Sequence, residues 1–444
     1  MIPPHSQSAS PNGDEARNQT PGPLAGLTVL DMSRILAAPT CTQLLGDLGA
    51  EVLKIEKPGA GDDTRKWGPP FLKRADGTET GESAYYLSSN RNKRSVAIDI
   101  AQPAGAAIVR ALAGQADVFI ENFKTGDLKR YGLDYGALSA AHPGLVYCSV
   151  TGFGQTGPNA AKPGYDLMAQ GFAGIMSLTG APEGEPMKVG VGVGDVVCGL
   201  YAAVGVLAAL RRRDLTGRGQ HIDIALADAT MAWLVNEGVN TLLSGQVPIR
   251  RGNQHPNIAP YQTFATADGH AIVAVGNDAQ YRRFCAILGA PHLAEDPRFA
   301  TNPERLRNRA ALLSALEPLI ARWRKDDLIA AMEAEGVPGG PINTVKEVFE
   351  TDQAAAREMV ISAPHGPAGT DAPLIGNPLK LSETPVAYRL APPVRGQDTL
   401  AVLRARIEPA LLEAALEAGA LEDAGADGAP RESAQAGGAV GASR

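Results

Sequence analysis

Residues 24–151 alternate short, apolar, β-rich runs with helical stretches of about ten residues, and few folds accommodate such an alternation. The runs are 27–31 (LTVLD), 51–55 (EVLKI), 96–100 (VAIDI), 117–121 (DVFIE) and 145–150 (LVYCSV). Between them, 39–48 (PTCTQLLGDL) and 103–114 have helical spacing, and each opens on a proline, which suits a first helical turn. Strands with helices between them pair in parallel, because a parallel pair needs a crossover that a helix supplies. The pattern therefore predicts an α/β fold with a doubly wound parallel sheet and helices on both faces. Ligands of such sheets bind beyond the carboxyl ends of the strands. The residues to read closely are those just after the runs: Arg34, Lys57, Asn122, Phe123 and the segment from Gly152.

The pattern changes after residue 225. The stretch 230–245 (TMAWLVNEGVNTLLSG) reads as one connecting helix, placed within a linker over 229–249. Residues 250–345 carry a strand at 271–275, helical segments near 279–289, 303–322 and 325–335, and a closing GVPGGP loop, which predicts a smaller α+β domain. Short strands and an amphipathic helix over 398–416 then suggest that 346–424 returns to the large domain of 23–228. Residues 1–22 and 425–444 lack apolar periodicity and read as disordered tails.

Charge narrows the partners. Lys and Arg number 41 against 48 Asp and Glu, a net charge of −7, which argues against a nucleic-acid backbone or an anionic membrane surface. The four cysteines (Cys41, Cys148, Cys198, Cys285) lie far apart without a CxxC pair, so neither a disulfide framework nor a cysteine zinc site is expected, and a reducing cytoplasm is. The longest apolar stretch, 196–210, has 15 residues. A bilayer span needs about 20, so this reads as a buried core helix ending at Arg211-Arg212-Arg213. The first 22 residues have no apolar signal region and carry Asp14 and Glu15 with a single Arg, so no secretory signal is expected and the stretch is poor transit-peptide chemistry.

Four motifs bear on chemistry. Gly152-Phe-Gly154-Gln-Thr-Gly157 follows a strand, but Pro158 and Pro163 break the helix that a dinucleotide site would need, so no nicotinamide cofactor is expected. Gly190-Val-Gly192-Val-Gly194-Asp195 stands just before the apolar helix. Asp195 reads either as a helix N-cap or as a carboxylate nucleophile on a bare backbone. Asp166, in Gly164-Tyr165-Asp166, is another cap or the second member of a carboxylate pair. Arg34, Lys54, Lys57, Arg65, Arg91, Lys93, Arg94 and Arg130 stand at strand ends and turns. They are either solvated surface or a cationic ring for the phosphates of a nucleotide-like ligand. There is no GxxxxGK[ST], and the seven histidines show no metal-ligand spacing, so neither ATP hydrolysis nor a metal is expected.

These elements, in this order, resemble the class III CoA transferases, which include formyl-CoA and carnitine-CoA transferases and α-methylacyl-CoA racemases. The resemblance rests on 31–65 (DMSRILAAPTCTQLLGDLGAEVLKIEKPGAGDDTR), 90–100 (NRNKRSVAIDI), 116–133 (ADVFIENFKTGDLKRYGL), 151–158 (TGFGQTGP), 164–170 (GYDLMAQ), 190–195 (GVGVGD), 216–226 (TGRGQHIDIAL) and 337–343 (VPGGPIN). It implies Asp195 as nucleophile and Asp166 as auxiliary acid. It implies coenzyme A contacts at Arg34, Ile35, Leu36, Ala37, Lys57, Ile98, Ala101, Asn122, Phe123, Lys124 and Arg130. The fold implied is a Rossmann-like large domain built from both chain ends, with a small domain, two such chains interlocking as rings in a homodimer. The CoA thioester would be a substrate rather than a resident cofactor.

Two departures refine the expectation. Racemase members carry His before the first acid, where this chain has Tyr165, which leaves no evident base for an α-proton and makes racemization the alternative reading. A non-catalytic CoA-binding protein is a third. The glycine-run loop of formyl-CoA transferase is replaced by Arg250-Arg251-Gly-Asn-Gln-His255-Pro-Asn257. The segments GAGDDTRKWGPPF and YYLSSNRNKRS look most like the branch that moves CoA from succinyl-CoA to glutarate and related dicarboxylates. A second carboxylate on the acceptor calls for a cation, and Arg250, Arg251 and His255 are the candidates.

Overall fold

A computed structural model describes residues 21–425, so the expectation of disordered tails falls almost wholly outside the described residues. Six parallel strands run in the order β3-β2-β1-β4-β5-β6: β1 (Thr28–Asp31), β2 (Glu51–Glu56), β3 (Lys93–Ile98), β4 (Val118–Glu121), β5 (Val146–Thr151) and β6 (His221–Ala225). A short antiparallel strand, β7 (Leu421–Glu422), pairs with β3 and brings the end of the described chain to that edge of the sheet. The order reverses between β1 and β4, and a crevice opens at such a switch point.

Alternation along the strands divides the core between the two faces of the sheet. Val29, Val52, Val118 and Val146 point to one face, where they meet Ala38, Cys41 and Leu45 of α1 (Ala37–Asp47). Leu30, Leu53, Phe119 and Tyr147 point to the other, under Ile108, Val109 and Leu112 of α2 (Pro103–Ala113). Next in the chain come α3 (Asp166–Phe172), α4 (Val193–Thr216), α5 (Leu226–Ala232) and α6 (Val235–Ser244). α4 packs on the first face beside α1 through Val197, Cys198, Ala202 and Val206. It is longer than its apolar stretch suggests, long and apolar enough to cross a bilayer, yet 61% of its apolar window is buried inside the molecule. That is the burial of a core helix.

The connecting helix expected over 230–245 is in fact two helices, α5 and α6, broken at Trp233-Leu234, with Val235 at a positive φ of 38°. Beyond them, strands Tyr261–Thr266, Gly269–Ala274 and Gly339–Pro341 form a small antiparallel sheet. Helices Asp278–Ile287, Arg309–Ile320 and Lys325–Ala334 cover it around Phe264, Val273, Phe284, Leu312, Leu328 and Met332. The helix expected over 303–322 is interrupted at Asn308. An antiparallel hairpin, Val360–His365 with Thr370–Ile375, packs on Tyr86 and Leu87. The final helix splits into α7 (Thr399–Arg406) and α8 (Pro409–Glu417). Pro409 lacks an amide donor and disfavours helical backbone just before it, which ends α7 there. Both helices return to the α2 face through Leu403, Leu412 and Ala415.

The expected ring of cations is corrected by burial. Lys54 lies 2.9 Å from Asp62 and Lys93 lies 3.1 Å from Asp31, all four side chains fully buried. Arg65 is clasped by Glu56 and Glu82, and Arg91 by Asp47. Arg94 reaches Glu51 and Asp398. These charges are paired because an unpaired buried charge would cost several kcal/mol. Of the eight cations, only Arg34, Lys54, Lys57 and Arg130 line the crevice.

Candidate active site

The turn after β1 shapes the crevice. Ile35 has φ 75°, a left-handed conformation that a β-branched residue rarely adopts. Two side chains from distant segments hold it. Asn122, just beyond β4, accepts from Arg34 N at 3.0 Å and donates to Arg34 O at 2.7 Å. Asp62 accepts from Ile35 N at 3.2 Å. Burial alone would raise the Asp62 carboxyl, but the Lys54 charge and the Thr64 donors hold it down at about 2. The turn delivers the chain into α1, which starts without a side-chain cap. Its first residue, Ala37, lines the crevice, so the electropositive end of α1 opens onto that space.

The crevice comprises two adjoining cavities that share Arg34 and Phe123. The first is lined by Lys57, Ile98, Ala101 and Arg130, from the ends of β2 and β3 and the turn after β4. The second is lined by Ile35, Leu36, Ala37, Asn122, Lys124, Asp166 and Asp195. Every residue that the sequence suggested for coenzyme A thus borders one cavity or both, and the two acids sit together in the second. Gly152 and Gly164 make this possible, since a Cβ on Gly152 would fall 2.4 Å from Gly164 Cα where the two loops cross.

Neither acid is the cap of its own helix. α4 is flanked by Gly192, so Asp195 is its third residue, and α3 is flanked by Tyr165, so Asp166 is its first. Asp166 instead caps α4 from outside: its Oδ1 accepts from Gly194 N at 2.8 Å, and its Oδ2 accepts from Gln170 Nε2 at 2.7 Å. A side chain on Gly194 would crowd this contact, because a Cβ there would stand 3.0 Å from both Asp166 Oδ1 and Thr230 Oγ1. Asp195 is only 8% exposed. Burial, reinforced by the Asp166 charge, pushes its carboxyl up to about 7. The pair is therefore asymmetric, one carboxylate engaged on both oxygens and the other buried with its carboxyl raised.

Sequence reading passed over two neighbours of the site, Lys162 and Tyr85. Lys162 and Tyr165 line the second cavity. Tyr85 is half-buried, its phenol pushed up to about 12 by burial and by the charges of Asp195 and Asp166, and its ring stands edge-on to Trp67. A tyrosine within an AYYL helical turn carries no local signal of such a neighbourhood.

Arg250, Arg251 and His255 border neither cavity of this chain. Arg250 donates to Gly184 O at 2.6 Å and Ala181 O at 3.3 Å, strapping the loop between them. Arg251 faces Glu237 at 3.6 Å. His255 accepts from Asn257 N and leans on the Tyr261 ring. Among the described residues, no group of three or more His, Cys, Asp or Glu side chains could hold a metal ion.

The chain is similar to known proteins. The family described as CoA-transferase family III matches residues 24–399. A succinate–glutarate CoA-transferase of Agrobacterium fabrum is 47% identical over 381 residues, 86% of this chain and 95% of that protein. The human succinyl-CoA:glutarate CoA-transferase is 40% identical over 387 residues, 86% of this chain and 85% of its own length. The crystal structure of a CAIB/BAIF family protein from Brucella suis superposes with a TM-score of 0.78 at 47% identity, covering 87% of this chain and all of that one. With its strand order, its switch-point crevice and a match along nearly the whole described chain, the protein belongs to CoA-transferase family III.

Proposed function

We propose that the protein moves CoA from succinyl-CoA to a dicarboxylate such as glutarate, with Asp195 as the covalent carrier. One observation carries the reading: a buried, unengaged carboxyl raised to about 7 shares a cavity with a carboxylate already engaged on both oxygens. The substrate choice is supported by relatives that act on succinyl-CoA or succinate and glutarate. Lys57, Ile98, Ala101 and Arg130 would take the nucleotide end of CoA, and Arg34–Ala37 with Asn122, Phe123 and Lys124 the pantetheine arm.

An ionised Asp195 oxygen attacks the thioester carbonyl, the carbon–sulfur bond breaks, and CoA leaves as a thiolate from a mixed anhydride. The thiolate attacks Asp195 Cγ, the anhydride carbon–oxygen bond breaks, and succinate departs. The acceptor carboxylate repeats both steps in reverse order and restores Asp195. One thioester replaces another, so no ATP is consumed. The uncapped end of α1 faces the developing negative charge.

A second copy of the chain is part of the reading. No residue of α6 is buried, and Leu242 and Leu243 are 87% and 83% exposed. α4 adds exposed Leu200 and Val204, and Met231 of α5 and Trp233 at the break after it are exposed as well. An apolar face of this extent is a surface for association. The four cysteines, all free and buried, suit a reducing compartment.

Incubation with succinyl-CoA and a panel of free acids should yield glutaryl-CoA or a close dicarboxylyl-CoA by mass spectrometry. Hydroxylamine trapping should modify the peptide holding Asp195. Asp195→Ala should lower turnover at least about 10³-fold. Trapping that persists in this variant would move the nucleophile elsewhere, and products from monocarboxylates alone would overturn the substrate.

A further inference from the structure

Gln170, on α3, is completely buried and touches both the acid that caps α4 and the segment leading into α4. Its Nε2 donates to Asp166 Oδ2 at 2.7 Å, and its Oε1 accepts from Val189 N at 2.8 Å. Asp166 Oδ1 in turn accepts from Gly194 N at 2.8 Å. The glycine-rich run from Val189 to Gly194 is therefore bridged between its first and last N–H by two side chains from a single helix. We propose that Gln170 is a positioning residue, which by joining Asp166 to Val189 fixes where α4 begins and hence where Asp195 is presented.

The run needs such a bridge. It contains Gly190, Gly192 and Gly194, and each glycine loses more backbone freedom on ordering than any other residue. Its amide has one workable orientation: the NH2 group must face the carboxylate and the carbonyl oxygen must face the N–H. Turned over, it would set oxygen against oxygen and donor against donor. Gln170 itself is fully buried between half-buried partners, so its loss takes one donor from Asp166 and one acceptor from Val189. Gln170 touches no reacting atom in the proposed chemistry, so its effect is exerted through Asp166 and the run. The inference rests on Asp195 being the nucleophile.

The test pairs a readout of the bridge with a readout of turnover on the full-length protein. Residue-resolved hydrogen exchange, without substrate, should show the Val189 and Gly194 amides exchanging at least about 10-fold faster in Gln170→Met, with the rest of α4 unchanged. Gln170→Glu keeps an acceptor for Val189 but sets an oxygen against Asp166, so only Gly194 should speed up. It also carries the test if the methionine variant does not fold. With succinyl-CoA and glutarate, kcat should fall about 10- to 100-fold in both variants while KM for succinyl-CoA stays within about twofold. Unchanged exchange in both variants would remove the bridge, and faster exchange with wild-type kcat would remove its role in turnover. Absence of CoA transfer in the wild-type protein would instead overturn the functional reading, while exchange still reports on the bridge.

Discussion

At Asp195 the proposed reactivity is set against stability. Its carboxyl rises from the ordinary 3.8 to about 7 in the folded protein, through burial first and the Asp166 charge second. Between those values the folded state holds a proton that the unfolded chain has lost, so stability falls as pH rises through this window and the deficit is complete above it. Its size is on the order of a few kcal/mol. Asp195→Asn should therefore raise the melting temperature at pH 8 and change it little near pH 4, as calorimetry at the two pH values would show. In the native enzyme, kcat/KM should lose activity below a midpoint near 7 as the carboxylate is protonated. Gly194→Ala is the matching steric probe. Its methyl group would press on Asp166 Oδ1 and Thr230 Oγ1, and kcat should fall about 10²-fold with the fold retained by circular dichroism.

Among the elements, the β1–α1 turn carries the most consequence. Nothing in the residues 32–37 announces that Ile35 is left-handed, since β-branched residues avoid that region. The conformation depends on Asn122, 88 residues from Arg34 in sequence, and on Asp62, which is anchored by buried Lys54. Asn122→Ala should free the turn and weaken CoA binding about 10-fold, measured by titration calorimetry, because it removes both an acceptor and a donor from the Arg34 backbone. Unchanged affinity would mean that Asp62 and the turn's own residues suffice to hold it. Arg250 teaches the same lesson from the opposite side. Its sequence position suggested a substrate cation, and within this chain its guanidinium donates to the carbonyls of Ala181 and Gly184, contacts that no local pattern announces.

For the whole molecule, α6 sets the expectation. A helix of ten residues is marginal in isolation, and here none of its residues is buried. Sedimentation velocity across a range of concentrations should give a dimer, and Leu242→Glu with Leu243→Glu should shift it toward monomer. A wild-type monomer at high concentration would refute the second copy. The same double variant should lose activity along with the dimer if the partner completes the acid-binding end of the crevice.

The sequence alone determined the parallel α/β architecture and the strand ends that border the crevice, whereas the two acids within it were implied by the family resemblance. Period-two and helical patterns report burial along one element, and the first residues after a parallel strand lie at the ligand edge by topology. The sequence alone did not separate crevice cations from buried ones. Lys93 sits in β3 much as a surface lysine would, and only the pairing of β1, β2 and β3 brings it to Asp31 at the end of β1. Nor could it assign the cap of α4, because Asp166 reaches Gly194 N across the packing of two helices. Those outcomes were decided by the tertiary structure, since whether a charge is paired, and with what, depends on which distant segments the crossovers bring into contact.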